Sequence, residues 1–260
     1  MQFGVCGAPS IAASAARAGF DFFESTVGAL LKPREPEDAF LAALAESRAA
    51  ALPCPVVNCF VPGDLKIAGP DVEFRALEEY VTATFERAGR AGVGVIVFGS
   101  GAARQIPERF DAGEARGQLV RFCSMFAPIA QRHGVVVAME PLNRQECNVL
   151  NTVGECAAMV REVAHPGLRL LVDAYHLLRD GDSCADIAAN GDLLRHVHIA
   201  TIPNRLAPGA EPCDFSPFFD ALIKAGYNGR LSIEGNIPSP ESVLPPALSL
   251  MGRLANPARE

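Results

Sequence analysis

Short apolar runs rich in β-branched residues recur along this chain at 3–6, 20–26, 56–60, 93–98, 135–140, 168–173, 194–199 and 230–234, with longer stretches between them. The runs read as strands and the stretches as helices. The clearest helical stretch is 72–91, where Phe74, Leu77, Val81 and Phe85 repeat near helical spacing. Gly92, Gly134 and Gly167 stand just before strands, where a helix must stop and a short turn begin. The segments after the strands are longer and carry the unusual residues: VPGDLKIAGPD, GSGAARQIPERFDAGEARG, PLNRQECN and TIPNRLAPGAEPCD. The pattern is βα repeated eight times with functional loops gathered on one face, as in an α/β fold of the (β/α)8 TIM barrel type. An open, doubly wound sheet shows the same alternation. The first strand is followed by GVCGAPS rather than GxGxxG, which removes the commonest nucleotide-binding version of that alternative.

The 260 residues, 49% hydrophobic, suffice for one such barrel, and no linker or composition shift divides residues 1–260 into two domains. A formal charge of −7 and the lack of a basic run argue against a nucleic-acid partner. Eight cysteines lie scattered without a CxxC pair and read mostly as small buried hydrophobes, with Cys6 at a strand end as the one that lines a site. With no signal-peptide pattern and no apolar stretch long enough to span a bilayer, a cytoplasmic location without membrane association is expected.

The fifth to eighth strands each close an apolar run with a charged or imidazole residue: VVVAMEP, RLLVDAYH, RHVHIA and LSIEG. Side chains alternate between the two faces of a strand. Glu140 therefore opposes Val137 and Met139, Asp173 opposes Leu170 and Val172, His198 opposes Val197 and Ile199, and Glu234 opposes Leu231 and Ile233. If the apolar sets face the helices, the four polar residues point inward at the carboxyl ends of consecutive strands, where barrel enzymes place their sites. Three carboxylates so placed raise one another's pKa, and burial adds desolvation, so a bound cation is the natural way to keep them charged. Three oxygens and one imidazole suit one divalent ion, Mn²⁺ or Mg²⁺ first, with Co²⁺, Fe²⁺ and Zn²⁺ left open.

The strings MEPLNRQE, VDAYH, HVHIA with a following NR and PG, and SIEG, with GFDFFE near the start, resemble the xylose-isomerase-like TIM-barrel family of sugar isomerases and epimerases. The ketose 3-epimerases and hydroxypyruvate isomerase are the comparisons. That resemblance implies a divalent-metal-dependent isomerase or epimerase of a small sugar or keto-sugar. Glu140, Asp173, His198 and Glu234 would be its metal ligands, with Glu140 and Glu234 also the catalytic acid/base pair. It further implies that Glu146, His176 and Arg205 touch substrate hydroxyls, and that the protein is a homodimer or homotetramer. Thr201 stands where many members carry an acidic residue, and Arg205 lies about one residue further along than in the ketose epimerases. A metal-dependent lyase or hydrolase of keto-glycosides on the same barrel is the alternative.

The remaining polar residues have plainer readings. His196 shares the face of His198 one layer deeper and reads as a core residue or a support for a ligand. His133 and His165 read as structural, and Glu24, Asn58 and Ser100 as strand-end residues that line the pocket or cap a turn. No glycine-rich phosphate cradle follows the seventh or eighth strand, which favours an unphosphorylated substrate.

Overall fold

A computed structural model describes residues 1–257. Eight parallel strands close in sequence order into a barrel: β1 (Gln2–Cys6), β2 (Phe22–Thr26), β3 (Val56–Asn58), β4 (Val95–Phe98), β5 (Val136–Met139), β6 (Leu168–Asp173), β7 (Leu194–Ile199) and β8 (Arg230–Ile233). The helices are α1 (Ile11–Ala18), α2 (Glu37–Ala49), α3 (Phe74–Ala91), α4 (Gly101–Arg104), α5 (Ala112–Arg132), α6 (Val153–Val163), α7 (Ala174–Asp180), α8 (Ala185–Ala189), α9 (Ser216–Lys224) and α10 (Pro240–Ala255). The sheet is therefore closed rather than doubly wound. The strand ladder ends one residue short of Glu140 and Glu234, so both sit on the rim.

The period-two pattern divides the core into two bodies. Phe22, Val56, Val95, Val97, Ala138 and Leu171 form a small cluster of their own inside the barrel. Ile96, Phe98, Val137, Met139, Leu170, Val172, Val197, Ile199, Leu231 and Ile233 belong to the larger cluster shared with the helices. Five phenylalanines from β4, α3, α5 and the loop after β3 (Phe60, Phe85, Phe98, Phe122 and Phe126) interlock there, with ring centroids as close as 5.1 Å for Phe122 and Phe126. Aromatic pairs at such offset and edge-on angles add to the area they bury. Inside the barrel, Gly4 leaves room for one large ring: a Cβ on it would lie 2.2 Å from Phe22.

The glycines before strands are not all there for one reason. Gly92, with φ of 76°, ends α3 in the left-handed region, the expected helix stop. After α6 that role falls to Ala164, whose φ is 51°. Gly167 is needed for a close approach, since a Cβ there would lie 2.2 Å from the Ala127 carbonyl oxygen of α5.

These geometries rank two substitutions against intuition. Gly92→Ala strains one exposed left-handed residue, at about 1–2 kcal/mol. Gly167→Ala forces backbone apart and costs about 3 kcal/mol, the upper end of the overpacking range. Urea unfolding followed by circular dichroism checks the order, which the opposite ranking would contradict.

Candidate metal centre

The carboxyl ends of β5 to β8 bring four side chains to one point. Glu140, Asp173, His198 and Glu234 each offer a ligand atom, and those atoms all lie within 4.8 Å of one another. Adjacent strands hold them in step: Asp173 pairs in register with His198, and His198 with Ser232, two residues before Glu234. His198 Nδ1 lies 3.3 Å from Glu140 Oε1 and 3.6 Å from Glu234 Oε2. Glu140, Asp173 and His198 are buried, and Glu234 retains partial access to solvent.

The charges in this group are out of balance. Burial first, then repulsion from Glu140 and Glu234, pushes the Asp173 carboxyl up to about 8. Burial also raises Glu140, with Glu234 adding to the effect. Burial acts to raise Glu234 as well, but His198 and Arg205 outweigh it and hold that carboxyl at about 2. Asp173 Oδ1 accepts from the Tyr175 backbone N–H at 2.7 Å, while its buried Oδ2 has no hydrogen-bond partner among the described residues. A buried carboxylate oxygen without a donor is costly unless a cation meets it. Gly99 leaves the room Glu140 needs, because a Cβ there would stand 2.4 Å from Glu140 Oε2. This donor set fits one hard or borderline divalent ion.

A cavity of about 550 Å³ opens at this point, lined by Glu140 and Glu234 of the four. His176, Glu146 and Arg205 stand in its wall with Glu140 and Glu234, as do Asn58 at the end of β3 and Cys59 and Ser100 from the loops after β3 and β4. His176 is buried, and its Nδ1 meets the Asn143 backbone N–H at 3.2 Å and the Asn143 amide nitrogen at 2.8 Å. Burial, then the charge of Arg205, lowers His176 to about 3, so the ring is neutral. With Nδ1 accepting, its proton sits on Nε2, which is 3.6 Å from Asp173 Oδ2. Arg205 pairs with Glu234 Oε2 at 2.5 Å, reaches Glu146 Oε1 at 3.5 Å and lies 4.5 Å above the Tyr175 ring. Glu146 is the most exposed of these groups and accepts from Asn143 Nδ2 at 2.9 Å.

The other candidates separate into lining and support. Asn58 Nδ2 donates to Glu234 Oε1 at 3.1 Å, and Ser100 Oγ accepts from the Val61 backbone N–H at 2.9 Å. Cys6 is half-buried and lies 3.7 Å from Asn58 Nδ2. His133 ends α5, and His165 Nδ1 accepts from Gly167 N at 3.1 Å, both structural positions. Thr201 faces the following loop, where its hydroxyl bonds to Glu211 and accepts from Leu206 N at 3.0 Å. Glu24 is fully buried and lies beneath the site, bonded to His196 and His198, instead of lining the cavity.

Sequence reasoning passed over Arg104, in a segment read as one of the long loops after the strands. The segment folds back as α4, and Arg104 is completely buried. Its guanidinium donates to the carbonyls of Phe98 (3.3 Å), Glu140 (2.9 Å) and Leu150 (3.3 Å), tying the end of β4 to the backbone of Glu140. No pattern in GSGAARQ announces this, because the acceptors are main-chain atoms that only the closed barrel brings together.

Comparison with known proteins now has a geometry to meet. Residues 12–253 match a family model described as a xylose isomerase-like TIM barrel. The chain belongs to that family. An L-ribulose 3-epimerase of Mesorhizobium japonicum is 29% identical over 229 residues, 85% of this chain and 73% of the relative. A 3-dehydro-D-guloside 4-epimerase of Escherichia coli is 36% identical over 110 residues, 42% of each protein. The chain thus spans about two fifths of the length of the E. coli relative that it matches. The solved structure of a D-allulose 3-epimerase from Methylomonas sp. in complex with D-allulose superposes with a TM-score of 0.82, covering 97% of this chain and 96% of that one at 22% identity, a likeness of fold. The named relatives in this xylose isomerase-like family are sugar epimerases and isomerases. No helix among the described residues is long and apolar enough to cross a membrane.

Arg104→Met keeps the bulk and removes the donors. The Phe98 and Leu150 carbonyls keep the backbone N–H groups of Glu140 and Leu142, so the Glu140 carbonyl alone loses its partner, at a cost of about 1–3 kcal/mol. The chain has no tryptophan, so unfolding is followed by circular dichroism. An unchanged urea midpoint would show that water replaces the guanidinium.

Proposed function

We propose that this protein is a divalent-metal-dependent isomerase or epimerase of a small sugar or keto-sugar. The observation that carries the reading is the convergence of Glu140, Asp173, His198 and Glu234, two of which, Glu140 and Glu234, line an open cavity. These four residues hold the ion in this reading, Mn²⁺ or Mg²⁺ first. When bound, the ion would supply Lewis acidity that stabilises the negative charge developing on the substrate as a proton leaves.

The chain's own residues then move the proton. Glu140 and Glu234 come from strands separated by β6 and β7, so they approach the substrate from different sides. One carboxylate takes the proton from the carbon next to the carbonyl. Return by the other to the same carbon gives the epimer, and return to the neighbouring carbon gives the isomer. Arg205 sets Glu234 through their short ion pair and keeps its place by lying on Tyr175. His176, neutral with its proton on Nε2, can donate to a substrate hydroxyl or carbonyl oxygen, and Glu146 can accept from a hydroxyl near the mouth. A free or glycosidically linked keto-sugar fits this arrangement, the second because the E. coli relative is named for a 3-dehydro-glycoside. Elimination from such a keto-glycoside would begin with the same proton abstraction.

Incubation in D₂O with ketoses, inososes, hydroxypyruvate and 3-keto-glycosides, read by NMR, identifies the carbon that exchanges. Glu140→Gln and Glu234→Gln should each lower that exchange by about 10²–10⁴-fold, the usual weight of a general acid or base. Undiminished exchange in both variants would contradict the assignment. Release of a leaving group from a keto-glycoside, without an epimer, would assign the protein to the lyases. Asp173→Asn should weaken Mn²⁺ binding more than it weakens folding, because the orphaned oxygen is replaced by an amide.

A further inference from the structure

Beneath the four converging groups lies a second buried cluster that shares His198 with them and whose other members the proposed chemistry does not use. Glu24 on β2, His196 and His198 on β7 and Ser232 on β8 are all fully buried. Glu24 Oε1 lies 3.0 Å from His198 Nε2, and Oε2 lies 2.9 Å from His196 Nε2. Ser232 Oγ donates to the same Oε2 at 2.7 Å. The carboxylate crosses the barrel to make these contacts. From β1, between β2 and β8, the lumen receives only the small Gly4 and Cys6 at these levels.

The chemistry of the contacts fixes where the protons are. An ionised carboxylate accepts hydrogen bonds and donates none. Ser232 Oγ already donates to one Glu24 oxygen and each oxygen faces an imidazole nitrogen, so the carboxylate is the acceptor in all three contacts. Both imidazoles must therefore present an Nε2–H to Glu24. For His198 this leaves Nδ1 facing Glu140 and Glu234. His196 makes no such approach: its Nδ1 is buried with no hydrogen-bond partner among the described residues.

We infer that Glu24 is a positioning residue: it holds His198 in the Nε2–H tautomer and aims the ring's Nδ1 into the space between Glu140, Asp173 and Glu234. This inference rests on the metal centre proposed above. Carboxylate support of a ligating histidine fixes its ring and raises its basicity, and its loss typically costs about 10–100-fold in metal affinity. Glu24, His196 and His198 also lie close enough together to hold an ion themselves. Their contacts argue against it, since each Glu24 oxygen already meets an N–H or O–H donor, whereas Asp173 Oδ2 meets none.

Two measurements test the inference. In the first, Mn²⁺ affinity is measured by calorimetry on the full chain, for wild type and for Glu24→Leu, Glu24→Gln and Ser232→Ala. Glu24→Leu should bind about 10–100-fold more weakly. Glu24→Gln should retain more affinity, because its amide oxygen can still accept from His198 while its NH₂ turns to His196. Ser232→Ala, which loses a bond to Glu24 but leaves the His198 contact, should stay within about threefold of wild type. In the second, ¹⁵N-histidine NMR of the Zn²⁺-loaded wild type should show His198 protonated at Nε2, a readout independent of whether any variant folds. His198 protonated at Nδ1 instead, or Glu24→Leu binding as tightly as wild type, would overturn the role of Glu24. A wild-type protein without Mn²⁺ affinity would overturn the metal centre, and this role with it.

Discussion

Glu140, Asp173 and Glu234 repel one another in a space largely closed to water, beside the imidazole of His198 and the guanidinium of Arg205. Two of the three carboxyls respond by rising, Asp173 to about 8. The third stays ionised at about 2 because His198 and Arg205 act on it most strongly. A cation at the centre removes the conflict, since it rewards the ionised form of every group that faces it. The barrel holds this electrostatic conflict in place because the four residues end strands that are hydrogen-bonded in register and cannot drift apart separately.

The rest of the molecule can be understood as support for that arrangement. Inside the barrel, the apolar layer of Phe22, Val56, Val95, Val97, Ala138 and Leu171 fills the lumen, and Glu24, His196 and Ser232 form a mutually hydrogen-bonded polar layer near it. Outside, the interlocked phenylalanines fix α3 and α5 against β4. Arg104 ties the carbonyl of Glu140 to those of Phe98 and Leu150. The side chains above the site are less constrained. Glu146 remains substantially exposed, as suits a contact that a substrate completes.

Much of this was legible in the amino-acid order, because strands alternate their faces, and the one register shift between β6 and β7, at Leu170 and Leu171, lies before Asp173 and His198. Alternation turns Glu140, Asp173, His198 and Glu234 inward before any coordinate is known, and the clusters on the two faces fall where it puts them. What alternation lacks is reach across the lumen. Glu24 and His196 are 172 positions apart, so Glu24 reads as a strand-end residue when it is the acceptor for two imidazoles. Arg104 was illegible for a related reason: its partners are backbone carbonyls, which leave no trace in residue type. Gly167 was legible as a glycine that matters, but its close approach to Ala127 differs from the helix stop that its position suggests.

The central claim is that one cation belongs at the meeting point of four strand ends. The most direct measurement is anomalous X-ray scattering from crystals of the protein soaked in Mn²⁺. The account predicts one strong peak surrounded by Glu140, Asp173, His198 Nδ1 and Glu234. A peak between Glu24, His196 and His198, or no peak within the barrel mouth, would contradict it.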